Sequence, residues 1–526
     1  ITASWQNFGP TLDVRDIQVG LKDGGKMAVK RVTLALDVWQ SLLHMRWQFR
    51  DLTFWQLQVH TNTPIQTNDG GESLKTDRIS DLFLRQFDHF TLRDSHLSFL
   101  TISGQRAELA VPQLTWLNGR NRHRAEGQLS LSSLTGQHGV MQVRMDLRDE
   151  DGLLNKGRVW LQADDIDVKP WLGRWMQDNI ALKSARFSLE GWMTIEKGDV
   201  ASGDVWLKKG GASWQGDDEV HHLSVDNLTA HLSHDKQSWG FYIPDTRIAI
   251  DDKPWPSGAL AMAWIPAQDV GGDDHQRSDE LRIRASNLTL SGLSGLQPFA
   301  DKLAPSLGEL WRTTQPSGKI NLLALDIPLQ ATEKTRFQAQ WSDLAWKQWK
   351  LLPGAEHFSG SLNGSVEHGE LRARMTQALM PYTGVFRAPL EIAAGEATLS
   401  WVKNDKGFML DGRDIDVQAT GVRARGGFRY LQPQGDDPWL GILAGISTND
   451  GGQAWRYFPE NLMGKALVDY LSGAIKAGQA RDATLVYGGN PHLFPYPHNE
   501  GQFQVYVPLK NATFAFQPDW PALTGL

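Results

Sequence analysis

The chain has no cysteine among its 526 residues. That excludes a disulfide framework, thiolate metal sites and a cysteine nucleophile. It is compatible with an oxidising compartment, where a stray thiol is a liability. Neither sign of charge dominates: 53 Lys+Arg stand against 60 Asp+Glu, net −7. With no basic stripe, nucleic acid is not an expected partner. Long hydrophobic runs are missing as well. The near-apolar stretch Leu440 to Ile446 is far shorter than the roughly 18 to 20 residues that span a bilayer.

Catalytic motifs are equally scarce. Gly211–Gly216 misses a G-x-S-x-G elbow by one residue. Gly318-Lys319 and Gly464-Lys465 are followed by Ile320 and Ala466, not by the Ser or Thr of a phosphate-binding loop. There is no H-E-x-x-H and no G-x-G-x-x-G, and no carboxylate pair stands at a catalytic spacing. His221, His222, His231 and His234 cluster in sequence, but on a strand they read as a solvated face, not as converging metal ligands. Asp269, Asp273, Asp274, Asp279 and Glu280 lack calcium-loop spacing. Sequons at Asn227, Asn287, Asn363 and Asn511 are explained better by strand geometry than by glycosylation. The expectation is no enzyme, no metal and no cofactor.

What is present, from end to end, is apolar/polar alternation. Met141, Val143, Met145 and Leu147 alternate with Gln142, Arg144 and Asp146. Leu281 and Ile283 alternate with Arg282 and Arg284, and Phe503, Val505 and Val507 with Gln504 and Tyr506. Side chains on a strand point to opposite faces with period two, so each segment has one apolar and one wet face. A sheet of such strands must cover its apolar face with a second sheet, with helices, or with an apolar ligand. With 22 tryptophans, many within strand patterns, the first reading is large core side chains.

Helices are few. Short helical patterns occur at Val38 to His44, Pro170 to Ala181 and Pro298 to Trp311. The strongest runs from Phe458 to Ile475, with Pro459 in its first turn and Gly478 as its stop. Each of the last three leads into more strands, which predicts modules at 1–165, 166–292, 293–452 and 453–526, the last being the start of a further module. A small repeat also recurs, Asp or Asn followed by an aliphatic or small residue, any residue, and an apolar one. It appears at Asp16, Asp51, Asp165, Asn227, Asn287, Asp343, Asp414 and Asn511. Such side chains can bond their own backbone and fix a bend or bulge.

Arg31 to His44 runs into Phe49-Arg50-Asp51-Leu52-Thr53-Phe54: strand, helical turn with Ser-Leu-Leu, then a strand opening on Arg-Asp-Leu. This resembles the N-terminal region of AsmA-like envelope proteins. Phe83 to Phe99, Trp439 to Thr448, and Trp455 through Asp469-Tyr470-Leu471 to Gly488 extend the resemblance over essentially the whole chain. It implies a mainly β fold with a few short helices, an elongated, twisted sheet curled into a taco-like groove with an apolar floor. It also implies a periplasmic protein attached to the inner membrane through a helix upstream of this chain, carrying phospholipid to the outer membrane and supporting its permeability barrier. The implied partners are phospholipid acyl chains, the inner membrane, and outer-membrane or envelope proteins. No catalytic residue carries over.

On this reading Met141, Val143, Met145, Leu147, Leu281, Ile283, Phe503, Val505 and Val507 line the groove. The competing expectation is a non-transporting envelope scaffold in which the same residues close a dry β-sandwich. A β-helical carbohydrate-binding or carbohydrate-cleaving protein fits less well, because the breaks between strands are too irregular for rungs of constant length.

Overall fold

The computed structural model describes residues 1–6, 9–20, 25–64, 82–100, 106–131, 139–169, 181–216, 218–235, 238–267, 279–298, 301, 305–350 and 352–526. The chain divides into two units, Ile1–Ser257 and Gly258–Leu526. In the first unit, strands from Thr2–Gln6 to Lys253–Pro254 pair in succession. The pairing is antiparallel except where Phe49–Pro64 and His89–Leu100 run parallel. A parallel step needs a crossover connection, and this one ends in a π-helical turn, Leu82–Gln86. In the second unit, strands from Leu260–Ile265 to Leu509–Phe514 form an antiparallel meander.

Within each unit the described strands belong to one hydrogen-bonded sheet, so among the described residues no second sheet faces the apolar side. Even so, Leu52, Val111 and Ala163 are 1%, 1% and 0% exposed. A single flat layer cannot bury side chains that deeply, so the sheet curls and its apolar face is the concave one. Two clusters mark the curl in the first unit. Val29, Val32, Leu52, Phe54, Phe90 and Leu92 pack with Phe83 and Phe87 of the crossover. Met141, Ala163 and Ile166 pack with Leu129, Leu161 and Leu189.

The small Asp/Asn repeat marks breaks in the alternation, with a register shift at four of its positions and none at Asp16, Asn227 and Asn287. Seven of its eight first residues sit in left-handed backbone, with φ from 52° to 59°: Asp16, Asp165, Asn227, Asn287, Asp343, Asp414 and Asn511. Short Asn and Asp side chains tolerate that region better than other L-residues do. The register shifts where Asp165, Asp343, Asp414 and Asn511 occur. The exception is Asp51, whose carboxylate accepts from the hydroxyls of Thr33 and Thr53. In its strand Gln56 takes the left-handed position instead, with φ 52°.

The helices differ from expectation in one case. Val38–His44 forms as predicted, with the Asp37 carboxylate accepting from the Gln40 N–H at 3.0 Å as an N-cap. The Pro170 to Ala181 helix lies outside the described residues except for Ala181. In the third region Pro305–Thr314 is helical. The long helix predicted over Phe458 to Ile475 is instead two short ones, Glu460–Met463 and Lys465–Ala474, preceded by a 3-10 turn at Gly451–Tyr457. Gly464, at φ 81°, turns the chain between them; Leu462, Leu467 and Tyr470 are exposed, and Val468 and Ala474 are the residues the second piece buries. Gly478 is not a stop, because it lies within the Ile475–Gly489 strand.

Candidate functional site

Strand register converts the alternation into rows. In the second unit, Ala285 pairs with Leu323, Leu323 with Ala339, Ala339 with Leu362 and Leu362 with Leu371. The row continues through Leu399, Gly412, Phe428, Ile442 and Tyr487 to Phe503. Leu260 extends it at the other end. One apolar residue or glycine comes from every strand crossed. At about 4.8 Å per strand this row runs about 50 Å along the sheet.

A second row lies beside it: Met262, Ile283, Leu325, Phe337, Gly364, Gly369, Trp401, Leu410, Tyr430 and Leu440. On its other side, Leu344, Phe358, Met375, Gly395, Val417, Ala424, Ile446 and Ala483 form a third. The glycines in these rows make room for rings. A Cβ on Gly412 would stand 2.2 Å from the Phe428 ring, and one on Gly369 2.3 Å from the Trp401 ring. Both glycines are therefore held by close approach, and the rings lie down over them.

The first unit repeats the arrangement. Val14, Val32, Phe54, Leu92, Leu114, Gly127, Val143, Leu161, Gly191, Val205 and Ala230 pair in one row. Leu129, Met141, Ala163, Leu189, Leu207 and Leu228 form a neighbouring row. Met145 belongs to another, with Ala125, Val159 and Met193. Successive inward residues of one strand are about 7 Å apart, so Met141 to Leu147 measures about 20 Å across the face.

The opposite face is wet and ionic. The row Arg284, Ala324, Gln338, Asn363, Glu370, Ser400, Asp411 and Arg429 runs parallel to the apolar ones. Arg429 bonds Asp411 at 2.6 Å, Arg413 bonds Glu370 at 2.7 Å and Arg284 bonds Asp326 at 2.6 Å. Arg423, and then Arg425, hold the Asp416 carboxyl down to a pKa of about 2. Exposed pairs of this kind add little stability, but they keep the face hydrophilic.

The residues singled out in sequence fall as follows. Met141, Val143 and Leu147 are buried, Met145 is half-buried, and all four share the concave face of the first unit. Leu281 and Ile283 are half-buried on the apolar face of the second unit. Phe503 and Val505 share that face, pairing with Tyr487 and Leu485, and are 50% and 54% exposed. Val507 lies just past the Gln502–Tyr506 strand. Four of the nine residues lie in the first unit and five in the second. The histidines do not converge: His221 bonds Asp251, His231 bonds Asp204, and His234 stacks on Trp239. Of the acidic loop, only Asp279 and Glu280 are among the described residues.

Sequence reasoning missed the side chains that connecting segments lay on the floor. Phe83 packs on Phe54 and Phe90 at 5.0 and 5.1 Å. Phe494 packs on Phe503 at 5.4 Å and on Tyr487 at 6.0 Å, with Tyr496 5.8 Å from Tyr487. Tyr496 is 7% exposed and its hydroxyl meets no partner, and burial pushes the phenol well above its ordinary pKa. The available signal was aromatics inside a stretch otherwise composed like a loop.

Comparison with known proteins places this geometry. The family model described as "YhdP protein" matches residues 1–526. The chain belongs to the YhdP family. A relative from Escherichia coli (strain K12), the intermembrane phospholipid transporter YhdP, is 76% identical over all 526 residues of this chain, which cover 42% of the relative. The chain thus spans less than half the length of that YhdP relative. No solved structure matches it. Among the described residues no helix is long and apolar enough to cross a membrane.

Proposed function

We propose that this chain is a segment of a periplasmic phospholipid conduit, attached to the inner membrane and delivering lipid toward the outer membrane. The observation that carries the reading is the set of unbroken apolar rows on the concave face of each unit, which no second sheet covers among the described residues. The name of the Escherichia coli relative supports the same cargo class. Acyl chains lie along the rows and head groups stay at the wet strand ends. Burying a methylene is worth about 0.8 kcal/mol when complete, and less on an open floor that covers one side. Met141, Val143, Met145 and Leu147 serve the first unit's floor, and Leu281, Ile283, Phe503, Val505 and Val507 the second's.

Sliding needs many similar weak contacts in series, and a row that repeats one apolar residue per strand provides them. No step requires a catalytic group. The test is native mass spectrometry with lipid extraction on this chain purified from bacteria without harsh detergent. Co-purified phospholipid that exchanges with added phospholipid is the expected result. A lipid-free, stable chain would replace the conduit with a scaffold.

A further inference from the structure

Among the exposed large apolar side chains of the first unit, five lie close together in sequence. In the turn between the Lys26–Leu36 and Phe49–Pro64 strands, Trp39, Leu42, Leu43, Met45 and Trp47 are 70%, 63%, 75%, 91% and 54% exposed. They are consecutive on the Val38–His44 helix and the turn after it, which buries no residue. Isolated exposed apolar residues are ordinary, but a contiguous knob of this kind marks an interaction surface. We infer that this knob seats the chain on the surface of a phospholipid bilayer.

Residue chemistry and charge select that occupant. Leucines and methionine form the tip and tryptophans flank it, the arrangement favoured where hydrocarbon meets head groups. Behind the tip, Arg46 is fixed by its guanidinium donating to the carbonyls of Phe87, at 2.7 Å, and Gly119, at 3.2 Å. That second bond brings the next strand turn alongside, with exposed Arg120. The neighbouring acids are engaged by the backbone: Asp37 accepts from the Gln40 N–H and Asp88 from the Phe49 N–H. Arg46 and Arg120 thus stand behind an apolar tip, where guanidiniums are complementary to lipid phosphates, while the Asp37 and Asp88 carboxylates are turned onto N–H groups of the chain. A protein partner or a second copy would leave those guanidiniums without that complement. This rests on the conduit reading, for which it supplies the membrane contact, and it would place the first unit's strand ends against the donor or acceptor bilayer.

The experiment is vesicle flotation of this chain with phosphatidylethanolamine containing about a quarter phosphatidylglycerol. Leu42→Ser/Leu43→Ser/Met45→Ser should weaken partitioning about tenfold or more, with the circular dichroism spectrum unchanged. Leu443→Ser, which alters a 62% exposed leucine of the second unit, should leave partitioning intact. Arg120→Glu should weaken binding to the anionic vesicles and not to phosphatidylethanolamine–phosphatidylcholine vesicles. Unchanged partitioning of the folded triple variant would overturn the inference. So would wild-type self-association, seen by sedimentation velocity, that the triple variant abolishes while vesicles remain unbound. Native mass spectrometry of the same samples separates the two proposals: a wild-type chain that floats but carries no exchangeable phospholipid defeats the conduit, whereas a wild-type chain that carries phospholipid but does not float defeats only the knob.

Discussion

Ile283→Asp is the sharpest perturbation of the apolar floor. Ile283 is half-buried and sits in a row between Met262 and Leu325, so a carboxylate there stands in the path of any acyl chain following that row. One strand spacing of about 4.8 Å corresponds to roughly four methylenes of extended chain. An open floor supplies about half of the 0.8 kcal/mol per methylene, so about 1.5 kcal/mol of contact is lost. Covering part of the carboxylate's hydration shell with hydrocarbon costs a further 1–2 kcal/mol, roughly. Together these give about 3 kcal/mol, or roughly a 100-fold fall in occupancy at that row. The matched control is Gln338→Asp, which adds the same charge to the wet-face row of the same sheet. Both variants are loaded with phospholipid and read by native mass spectrometry, after urea midpoints establish that each is folded. Equal loading of the two folded variants would refute the argument that this face carries lipid.

Three further outcomes follow from the geometry. Gly412→Val should cost about 1–3 kcal/mol by urea unfolding, because the new Cβ meets the Phe428 ring at 2.2 Å; an unchanged midpoint would mean the ring is free to lift. Asn227→Val should destabilise by about 1–2 kcal/mol, since φ is 55° and a β-branched residue fits left-handed backbone poorly, whereas Asn227→Gly should stay near wild type. The Asp416 carboxyl, lowered from 3.8 to about 2 by Arg423 and Arg425, contributes stability that is present above its unfolded pKa and lost as pH falls through about 2. Asp416→Asn should therefore lower the urea midpoint at neutral pH and flatten its change between about pH 4 and pH 2, and a carboxyl chemical-shift titration of the wild type should show the depressed midpoint.

Much of this was readable in sequence because a strand's period is short and local. Met141, Val143 and Leu147 announce one face by alternation alone, and the helix at Val38–His44 announces itself by the spacing of Val38, Trp39, Leu42 and Leu43. The rows were not readable, because they depend on which strands pair, and pairing is a non-local choice. Phe503 and Ile283 are more than two hundred residues apart in the chain, and only the register from strand to strand places them on one face. The broken helix around Gly464 was missed for a different reason. A periodic apolar stripe carries no sign of a break at a glycine, nor of which stripe residues, here Leu462, Leu467 and Tyr470, stay exposed. The covering rings of Phe83 and Phe494 were hidden because a connection is recognised by its polar residues, and the few apolar ones in it carry no periodicity.

The small repeat ties these levels together. On each side of these left-handed positions the inward residues change parity: Val14 precedes Ile17 and Val19, Ala163 precedes Ile166, and Val225 precedes Leu228 and Ala230. The added residue lies outside where Arg15-Asp16, Asp164-Asp165, Asp226-Asn227 and Arg413-Asp414 are exposed in pairs. The left-handed positions also align across strands. Asp16 and Gln56 face the same position, Lys30, on the strand between them, and Asp94 follows next. Asp165 donates its N–H to the Ser188 hydroxyl, and Asn227 lies opposite Lys208. Each strand thus carries one more residue on its wet face than strict alternation allows, along lines that cross the strands. Where the register also shifts, at Asp165, Asp343, Asp414 and Asn511, a bulge bends its strand and strengthens the local twist. The residue that looks like an interruption of the alternation therefore adds to the wet face and not to the apolar one, which favours a trough over a flat two-faced sheet.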